Sequence, residues 1–516
     1  MSRQSAADAQ ECVFAVLAEP GTYPGAPAVR RIDTHGAAVF LAGSDVYKVK
    51  RAVRFPYMDY STLARRKAAC EAELALNQPN APELYLGVVP ITRSARGLEL
   101  GGEGEVVEWA VHMRRFDESR TLDCTPAGAA LPSELASQLA AAVAASHARA
   151  APSPGDRWLP SLSRFIEEAR DAVLRFPDLF PAGAVEALHS GQCAALDRGR
   201  PLLELRRAEG HVRRIHGDLH LGNIVLTGRG PVLFDAIEFD EDIATGDVLY
   251  DLAFLLMDLW VRGDRRGANL VFNRYLIASG TDDQLPGLAA LPLFLSLRAA
   301  IRAHVTAARS LVVEGRARTD AERSARTYFD AAAGFLRSSR GPLVAIGGLS
   351  GTGKSTIAAE LAPHLGSAPG AVHLRSDIER KRLFGVGETE RLPGEAYGPG
   401  VTAQVYARLR DLALLAAKAG SAVVVDAVHG EPGEREAIEH LAREAGVPFI
   451  GVWLALSTDE RVRRVAGRRG DASDAGPEVA LAQEARATGR ITWAPLDAAR
   501  PVSELAAEIA AIADPA

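Results

Sequence analysis

The sequence predicts a multidomain α/β and α+β chain, a bilobal α+β domain followed by an α/β domain with a parallel sheet flanked by helices. Three observations carry this expectation. The 516 residues exceed one ordinary domain and suffice for two or three separate cores. Near the middle stands His216-Gly-Asp218-Leu-His-Leu-Gly-Asn223, with Asp235 at the end of a following apolar run. In the last third an apolar run leads into Gly348-Leu-Ser350-Gly351-Thr352-Gly353-Lys354-Ser355, followed by Asp377 and Asp426. The two sets differ in residue type and spacing, and each holds the carboxylates and phosphate-binding groups that phosphoryl transfer uses. Two such sets in one chain predict a fusion of two units.

Composition is that of a water-soluble globular chain. A net charge of −6 gives no global reason to expect nucleic acid or an acidic membrane surface as a partner. The four cysteines, at 12, 70, 124 and 193, have no paired spacing, so neither a disulfide framework nor a zinc site is indicated. The opening Met-Ser-Arg-Gln-Ser-Ala-Ala-Asp lacks the apolar core of a signal peptide, and no stretch approaches the ~20 uninterrupted apolar residues of a membrane span. A cytoplasmic protein with no membrane partner is expected, of undetermined oligomeric state.

The main boundary is expected at Ser338-Ser-Arg-Gly341-Pro342, where Gly-Pro forms a turn feeding the apolar run Leu343-Val-Ala-Ile-Gly-Gly. A weaker division near residue 110 separates a strand-rich from a helix-rich part. The expected segments are 1–110, 111–337 and 342–516. Within the second, 131–149 reads as an Ala-rich amphipathic helix and 281–336 as two or three helices.

In the first set, Val39-Phe-Leu-Ala-Gly43-Ser-Asp-Val46-Tyr-Lys48-Val-Lys50 reads as a β-hairpin whose second strand puts Val46, Lys48 and Lys50 on one face. A lysine projecting from such a strand can hold the α- and β-phosphates of ATP. The helical stretch 61–78 offers Glu71 and Glu73 as its partner; Lys48 with Glu73 is preferred, with Lys50 and Glu71 left open. Downstream, Asp218 can accept the proton of a substrate hydroxyl while Asn223, five residues on, coordinates Mg2+ from the same loop. The apolar strand Val232-Leu-Phe234 delivers Asp235, a second carboxylate for the metal.

This series and its order match the catalytic loop and metal-binding Asp of protein-kinase-like folds, and the segment 30–260 resembles the aminoglycoside phosphotransferase family. The resemblance implies that Asp218 is the base, that Asn223 and Asp235 are metal ligands, and that Glu108-Trp-Ala-Val-His-Met113 links the lobes and meets adenine. Two features depart from the pattern: the loop near Thr34-His35-Gly36-Ala37 has a single glycine, and Asp235 is followed by Ala236-Ile237-Glu238 rather than Phe-Gly. Glu238, Asp247 and Asp251 read equally as groups reaching a cationic or hydroxylated substrate and as caps that brace the loop. His216 and His220 have the spacing of a metal pair but sit inside the loop motif, where the first histidine is expected to brace it. His147, in the Ala-rich helix, is expected to be packed.

The second set has the context of a P-loop: apolar strand, Gly348-x-x-x-x-Gly353-Lys354-Ser355, then helix. Glycines let backbone N–H groups wrap the phosphates, Lys354 reaches the β- and γ-phosphates, and Ser355 coordinates Mg2+. Ser350, Gly351, Thr352 and Thr356 complete the expected ATP-binding loop. Val372-His-Leu-Arg-Ser-Asp377-Ile-Glu-Arg380 is a strand end that presents Asp377 beside the phosphates, with Arg380 and Arg382 following. Ala422-Val-Val-Val-Val425-Asp426 is a buried strand ending in a Walker B type carboxylate, a candidate for the Mg2+ water shell. Arg461, Arg464 and Arg468 fall at helical spacing, where Arg464 and Arg468 can neutralise the transferring phosphoryl group. The Gly470-Asp-Ala-Ser-Asp-Ala stretch beyond them has the composition of a mobile loop.

The segment 342–512 resembles the small P-loop kinases grouped with zeta toxin, chloramphenicol phosphotransferase and phage polynucleotide kinase, which implies that Asp377 activates the acceptor hydroxyl. The resulting expectation is a bifunctional, ATP- and Mg2+-dependent phosphotransferase acting on the hydroxyl or amine of small molecules such as sugars or amino sugars. A polynucleotide or nucleoside 5'-hydroxyl kinase in the last segment, an aminoglycoside-inactivating kinase in the first, and a nucleotide-gated regulatory protein with one inactive domain stay open. Nucleic acid is not favoured, since few aromatics interleave with the arginines. Acceptor choice is expected to lie in 131–210, 262–336 and 385–405.

Overall fold

The computed structural model describes residues 3–55, 58–337, 340–485 and 488–513. Ser338 and Ser339 of the expected boundary, and 514–516 of the expected last segment, lie outside the described residues. The chain forms two compact units that alternate along the sequence. The first takes the chain up to Ala127, then Ala141–Leu162 and Arg206–Leu255; the second takes Gly128–Ala140, Ser163–Leu205 and the chain from Leu256 onward.

The first unit is organised by a six-stranded antiparallel sheet in the order Val29–Asp33, Ala37–Ala42, Asp45–Lys50, Glu105–Arg114, Tyr85–Ser94, Gly97–Leu100. Two-residue alternation divides its side chains between two cores. Ala38, Phe40, Ala42 and Val49 pack with Val13, Phe14 and Leu17 of the helix Arg3–Ala18, whereas Leu41, Val46, Val111 and Met113 pack with Cys70 of the helix Leu63–Asn77. Val46 thus fixes the face of its strand that meets Leu63–Asn77, and Lys48 and Lys50 share that face. Gly43, with φ of 59°, makes the tight turn into this strand.

The stretch 108–113, expected to link the lobes, lies inside the strand Glu105–Arg114; Ala110–Met113 are paired on both edges, and Glu108 and Trp109 on one, with Tyr85–Ser94. Trp109, Val111 and Met113 face one core and Ala110 the other, the period of a strand. From Ala110 to Met113 the backbone is taken up by the sheet, and the chain leaves the sheet only after Arg114. Glu108 is buried against Arg66 at 2.9 Å and Gln10 at 2.8 Å.

The loop His216–Asn223 is framed by two short antiparallel pairs, Val212–Arg214 with Thr245–Asp247 and Ile224–Thr227 with Gly230–Leu233. The apolar helix Val248–Val261 follows.

The second unit contains the helices Arg265–Ser279, Leu291–Ser310 and Gly315–Phe335 and a five-stranded parallel sheet. The sheet order is Val372–Arg375, Val423–Asp426, Leu343–Gly348, Phe449–Ala455, Ala494–Asp497. Every residue of the central strand Leu343–Gly348 is buried, as the continuous apolar run requires of a strand covered on both faces. Ile357 and Leu361 of the helix Lys354–Leu361 share a core with Leu505 and Ile509 of Val502–Ala513. Among the described residues one helical stretch, Thr281–Ser310, is long and apolar enough by composition to cross a membrane, but Asp282, Asp283, Arg298 and Arg302 interrupt its apolar run, and 78% of its most apolar 18-residue window is buried inside the protein.

Candidate functional site

In the first unit the strand Asp45–Lys50 and the helix Leu63–Asn77 bring Lys48 and Lys50 onto one carboxylate, Glu73. Lys48 Nζ lies 2.9 Å from Glu73 and 2.7 Å from Asp235, and Lys50 pairs with Glu73 and with Glu238. The Tyr60 hydroxyl donates to Glu238 at 2.8 Å. Burial opposes the charge on Lys48, but Asp235 and Glu73 outweigh it and raise its pKa well above the ordinary lysine value. Burial likewise works against ionisation of Glu73, and the two lysines hold its pKa below the usual carboxylate value. Glu71 points the other way, 56% exposed, and pairs with Lys67 one turn away.

Among the described residues Asp235 is one of two non-glycine residues with positive φ, at 62°. A left-handed conformation costs free energy at such a residue and persists where its surroundings enforce it. Here the Asp235 N–H donates to Tyr85 Oη at 3.2 Å, and the turn sends the carboxylate back over Lys48.

Asp218 sits 39% exposed, and Asn223 Nδ2 donates to its backbone oxygen at 2.9 Å and to Oδ2 at 3.0 Å. Asp251, fully buried, accepts from the N–H groups of His216 at 3.0 Å and Gly217 at 2.9 Å and meets His147 Nε2 at 3.1 Å. His216 contacts the Phe234 carbonyl at 3.0 Å, and burial lowers its pKa in spite of Asp251 and Asp218 nearby. Asp247, also fully buried, caps the following helix through the Leu249 N–H and pairs with Arg206 at 2.6 Å. Of the two readings of these carboxylates, the structure favours bracing for Asp247 and Asp251, while Glu238 closes the lysine cluster. His216 and His220 do not converge as a metal pair: His220 Nδ1 accepts from the Gly222 N–H at 3.0 Å.

In the second unit a cavity of about 910 Å3 opens over the Gly348–Ser355 loop. Ser350 to Thr356, Asp377, Arg380, Arg464 and Arg468 all line it. Gly348, Gly351 and Gly353 have φ of 142°, 92° and 89°, and a Cβ on Gly351 would stand 2.6 Å from the Arg461 carbonyl oxygen. The Ser350 N–H donates to Gln483 at 2.7 Å, and Lys354 Nζ to the Leu349 carbonyl at 3.3 Å. Burial lowers the Lys354 pKa in spite of Asp426 and Asp377 nearby. Ser355 is half-buried, Thr356 is exposed at the first turn of its helix, and Thr352 Oγ1 donates back to the Leu349 carbonyl at 2.9 Å.

Asp426, 3% exposed, lies 3.6 Å from both His373 and Arg375. Burial acts to raise its pKa, and His373 and Arg375 hold it far below the carboxylate range instead. Asp377 moves the other way, raised by burial and by Asp426. Two neighbouring carboxylates are thus pushed apart, one fixed as an anion and one made more basic. Arg380 is buried, donates to the Ala396 carbonyl at 2.6 Å and lies 4.9 Å from the Tyr397 ring centre.

The arginine helix is shorter than its spacing suggested. Thr458–Ala466 ends before Arg468, which still lines the cavity beside Asp471 at 3.5 Å. Arg461 is turned away into the protein, bonded to the Ala480 carbonyl at 3.1 Å and to Glu484, while Arg464 bonds Glu460 at 3.2 Å. The stretch after Gly470 is built into the site: Asp471 accepts from Arg375 at 2.9 Å, and Asp474 from Lys381 at 2.8 Å and Tyr397 at 2.6 Å. Sequence reasoning missed Asp471, Asp474, Lys381 and His373, because each acquires its partner only across the fold.

Both donor sets suit Mg2+, which takes hard oxygen ligands. The first offers Asn223 and Asp235, with the Asp235 side chain 47% exposed. The second offers the Ser355 hydroxyl and the anionic Asp426.

Comparison with known proteins finds a match for each of the two regions. Residues 43–291 match the model of the phosphotransferase enzyme family, and residues 343–489 match that of an AAA domain. An uncharacterized protein of Mycobacterium tuberculosis is 29% identical over 487 residues, spanning 91% of this chain and 92% of that protein. The adenylyl-sulfate kinase of Myxococcus xanthus is 32% identical over 127 residues, 24% of this chain and 64% of that enzyme. Among solved structures, a choline kinase from Cryptosporidium parvum covers 63% of this chain and 95% of its own, with 12% identity and a TM-score of 0.38. The Mycobacterium tuberculosis APS kinase CysC covers 33% of this chain and 96% of its own, with 23% identity and a TM-score of 0.24. The chain thus joins a segment that matches the phosphotransferase enzyme family to one that matches an AAA domain, and it is an ATP-dependent phosphotransferase.

Proposed function

We propose that the chain is bifunctional, with each site moving the γ-phosphoryl group of ATP to a hydroxyl or amine of a small-molecule acceptor such as a sugar or amino sugar. The domains would be an N-lobe over 1–110, a helical lobe with the catalytic loop over 111–337, and the P-loop domain over 342–516. One observation carries the reading: each site pairs a phosphate-binding lysine with its own carboxylates, Lys48 with Asp235 in one and Lys354 with Asp377 and Asp426 around the other.

In the first site Lys48, held by Glu73, positions the phosphates, and Asp218 takes the proton of the attacking hydroxyl. The acceptor oxygen bonds to Pγ as the bond from Pγ to the β-bridging oxygen breaks, and ADP leaves. Asn223 and Asp235 would hold Mg2+, which when bound offsets charge on the phosphates. In the second site the loop N–H groups and Lys354 cradle the phosphates, Asp377 accepts the proton, and Arg380, Arg464 and Arg468 face the charge that develops. Ser355 and Asp426 would hold the metal there. The raised pKa of Asp377 suits a proton acceptor, and positioning with charge neutralisation supplies the rest. The adenylyl-sulfate kinase relative supports a small acceptor for the P-loop domain.

The test is transfer from γ-labelled ATP to a panel of sugars, amino sugars, nucleosides, aminoglycosides and short oligonucleotides, using wild type, Asp218→Asn and Asp377→Asn. A labelled acceptor that disappears with one substitution alone assigns it to one site. Labelling that survives both substitutions removes the proposed bases.

A further inference from the structure

The strand Val372–Arg375 is one of the two outer strands of the parallel sheet, paired within it on one side, with Val423–Asp426. An outer strand presents backbone groups that need partners. Here they come from the helix Arg265–Ser279, which precedes the P-loop segment by some distance in sequence and belongs to the same compact unit. Asn273 Nδ2 donates to the Ala371 carbonyl at 3.1 Å, and its Oδ1 accepts from the His373 N–H at 2.7 Å. The carboxamide thereby bonds the groups flanking Val372 as a residue of an added parallel strand would. Asn269 Nδ2 donates to the carbonyls of Pro369 and Ala371, both at 3.0 Å. Both asparagines are buried, at 4% and 9% exposure.

The strand so held is the one that sets the charge of the P-loop site. Its His373 and Arg375 flank Asp426, and Asp377 and Arg380 stand on the helix Ser376–Leu383 that continues from it. That helix is also tied to the same region, through Arg382 with Thr281 and through Arg408, which bridges Glu379 at 3.3 Å and Asp282 at 2.5 Å.

We propose that Asn273, outside the P-loop segment, is a positioning residue for phosphoryl transfer at the P-loop: it fixes the height of Val372–Arg375 so that His373 and Arg375 hold Asp426 in place. This rests on the reading that Asp426 serves the metal at an active P-loop site. It implies that the P-loop domain is incomplete without the helix Arg265–Ser279.

The test uses the full chain carrying Asp218→Asn, which silences the first site. Hydrogen exchange across 372–377 is measured together with ATP hydrolysis as a function of MgCl2. Asn273→Ala is expected to speed exchange of this strand and to raise the half-saturating Mg2+ concentration about tenfold, the lower end for loss of an outer-shell support. Asn269→Ala, which leaves the bond to the His373 amide in place, is expected to change the Mg2+ requirement less than about twofold. Faster exchange with an unchanged Mg2+ requirement in Asn273→Ala would overturn the proposal and leave Asn273 as a strand cover only. If Asn273→Ala does not fold, Asn273→Asp, which sets a carboxylate oxygen against the Ala371 and Asn269 oxygens and so pushes the strand away, carries the same test with the same expected direction. Lys354→Ala separates the two readings: hydrolysis that is absent in the parent, or that survives Lys354→Ala, sinks the P-loop assignment itself.

Discussion

Replacing Glu73 by Gln removes one negative charge from a cluster in which Lys48 and Lys50 share it. The Glu73 side chain is wholly buried and that of Lys50 is 3% exposed, so water cannot take over its role. After the substitution Lys50 retains Glu238 and Lys48 retains Asp235, leaving two buried cations with two carboxylates, of which Asp235 is the partly solvated one. Breaking one partner of a buried ion pair costs about 3–5 kcal/mol. For a unit of this size each kcal/mol lowers the melting temperature by about 2–4 °C, so Glu73→Gln should lower the first unit's transition by about 6–20 °C. Glu71→Gln on the same helix touches only the exposed pair with Lys67 and should cost less than about 0.5 kcal/mol. Differential scanning calorimetry of the full chain reads both. The double variant Glu73→Gln/Lys50→Met removes charge of both signs and should recover much of the loss, since the surviving lysine then has Asp235 and Glu238 nearby. Equal shifts for Glu71→Gln and Glu73→Gln, or strict additivity in the double variant, would refute the reasoning.

Three further outcomes follow from the same contacts. Asp251→Asn leaves at least one of the His216 and Gly217 N–H groups facing a donor, so it should cost about 2–3 kcal/mol and, by shifting the loop, lower turnover at the first site about 100-fold; a thermal melt and the transfer assay read these together. Gly351→Ala combines φ of 92° with a Cβ 2.6 Å from the Arg461 oxygen and should abolish binding of a non-hydrolysable ATP analogue at the P-loop, whereas Gly400→Ala, with nothing within 4 Å, should leave titration calorimetry unchanged. His429 is buried and its pKa is pushed down to about 3, chiefly by burial, so the unfolded chain binds a proton that the fold refuses. Stability from this group is therefore full above about pH 6.5 and lost as pH falls towards 3, about 2 kcal/mol lower at pH 5 than at pH 7. His429→Asn, which tolerates the left-handed φ of 49°, should flatten that slope in denaturant titrations.

What the sequence determined by itself is local. The Gly348–Ser355 loop and the run from His216 to Asn223 work through fixed spacing along the chain, and the structure keeps each as one loop with its flanking strands. Two-residue alternation likewise set the face that Val46 shares with Lys48 and Lys50. The same rule should have marked 108–113 as strand, but the resemblance assigned it to a linker, and only the sheet pairing, on both edges from Ala110 to Met113, shows where its backbone goes. The tertiary structure decided whatever depends on which groups meet across the chain. It chose Glu73 over Glu71, since one faces the sheet and the other faces solvent, although both sit on the same helix. It turned Arg461 inward while leaving Arg464 and Arg468 at the cavity, and it drew Asp471 and Asp474 out of an apparently mobile stretch by giving them Arg375, Lys381 and Tyr397. It also placed Asn273 on the edge of a strand 100 residues away in sequence. Burial and charge pairing at such distances follow from packing, which no local pattern of residues encodes.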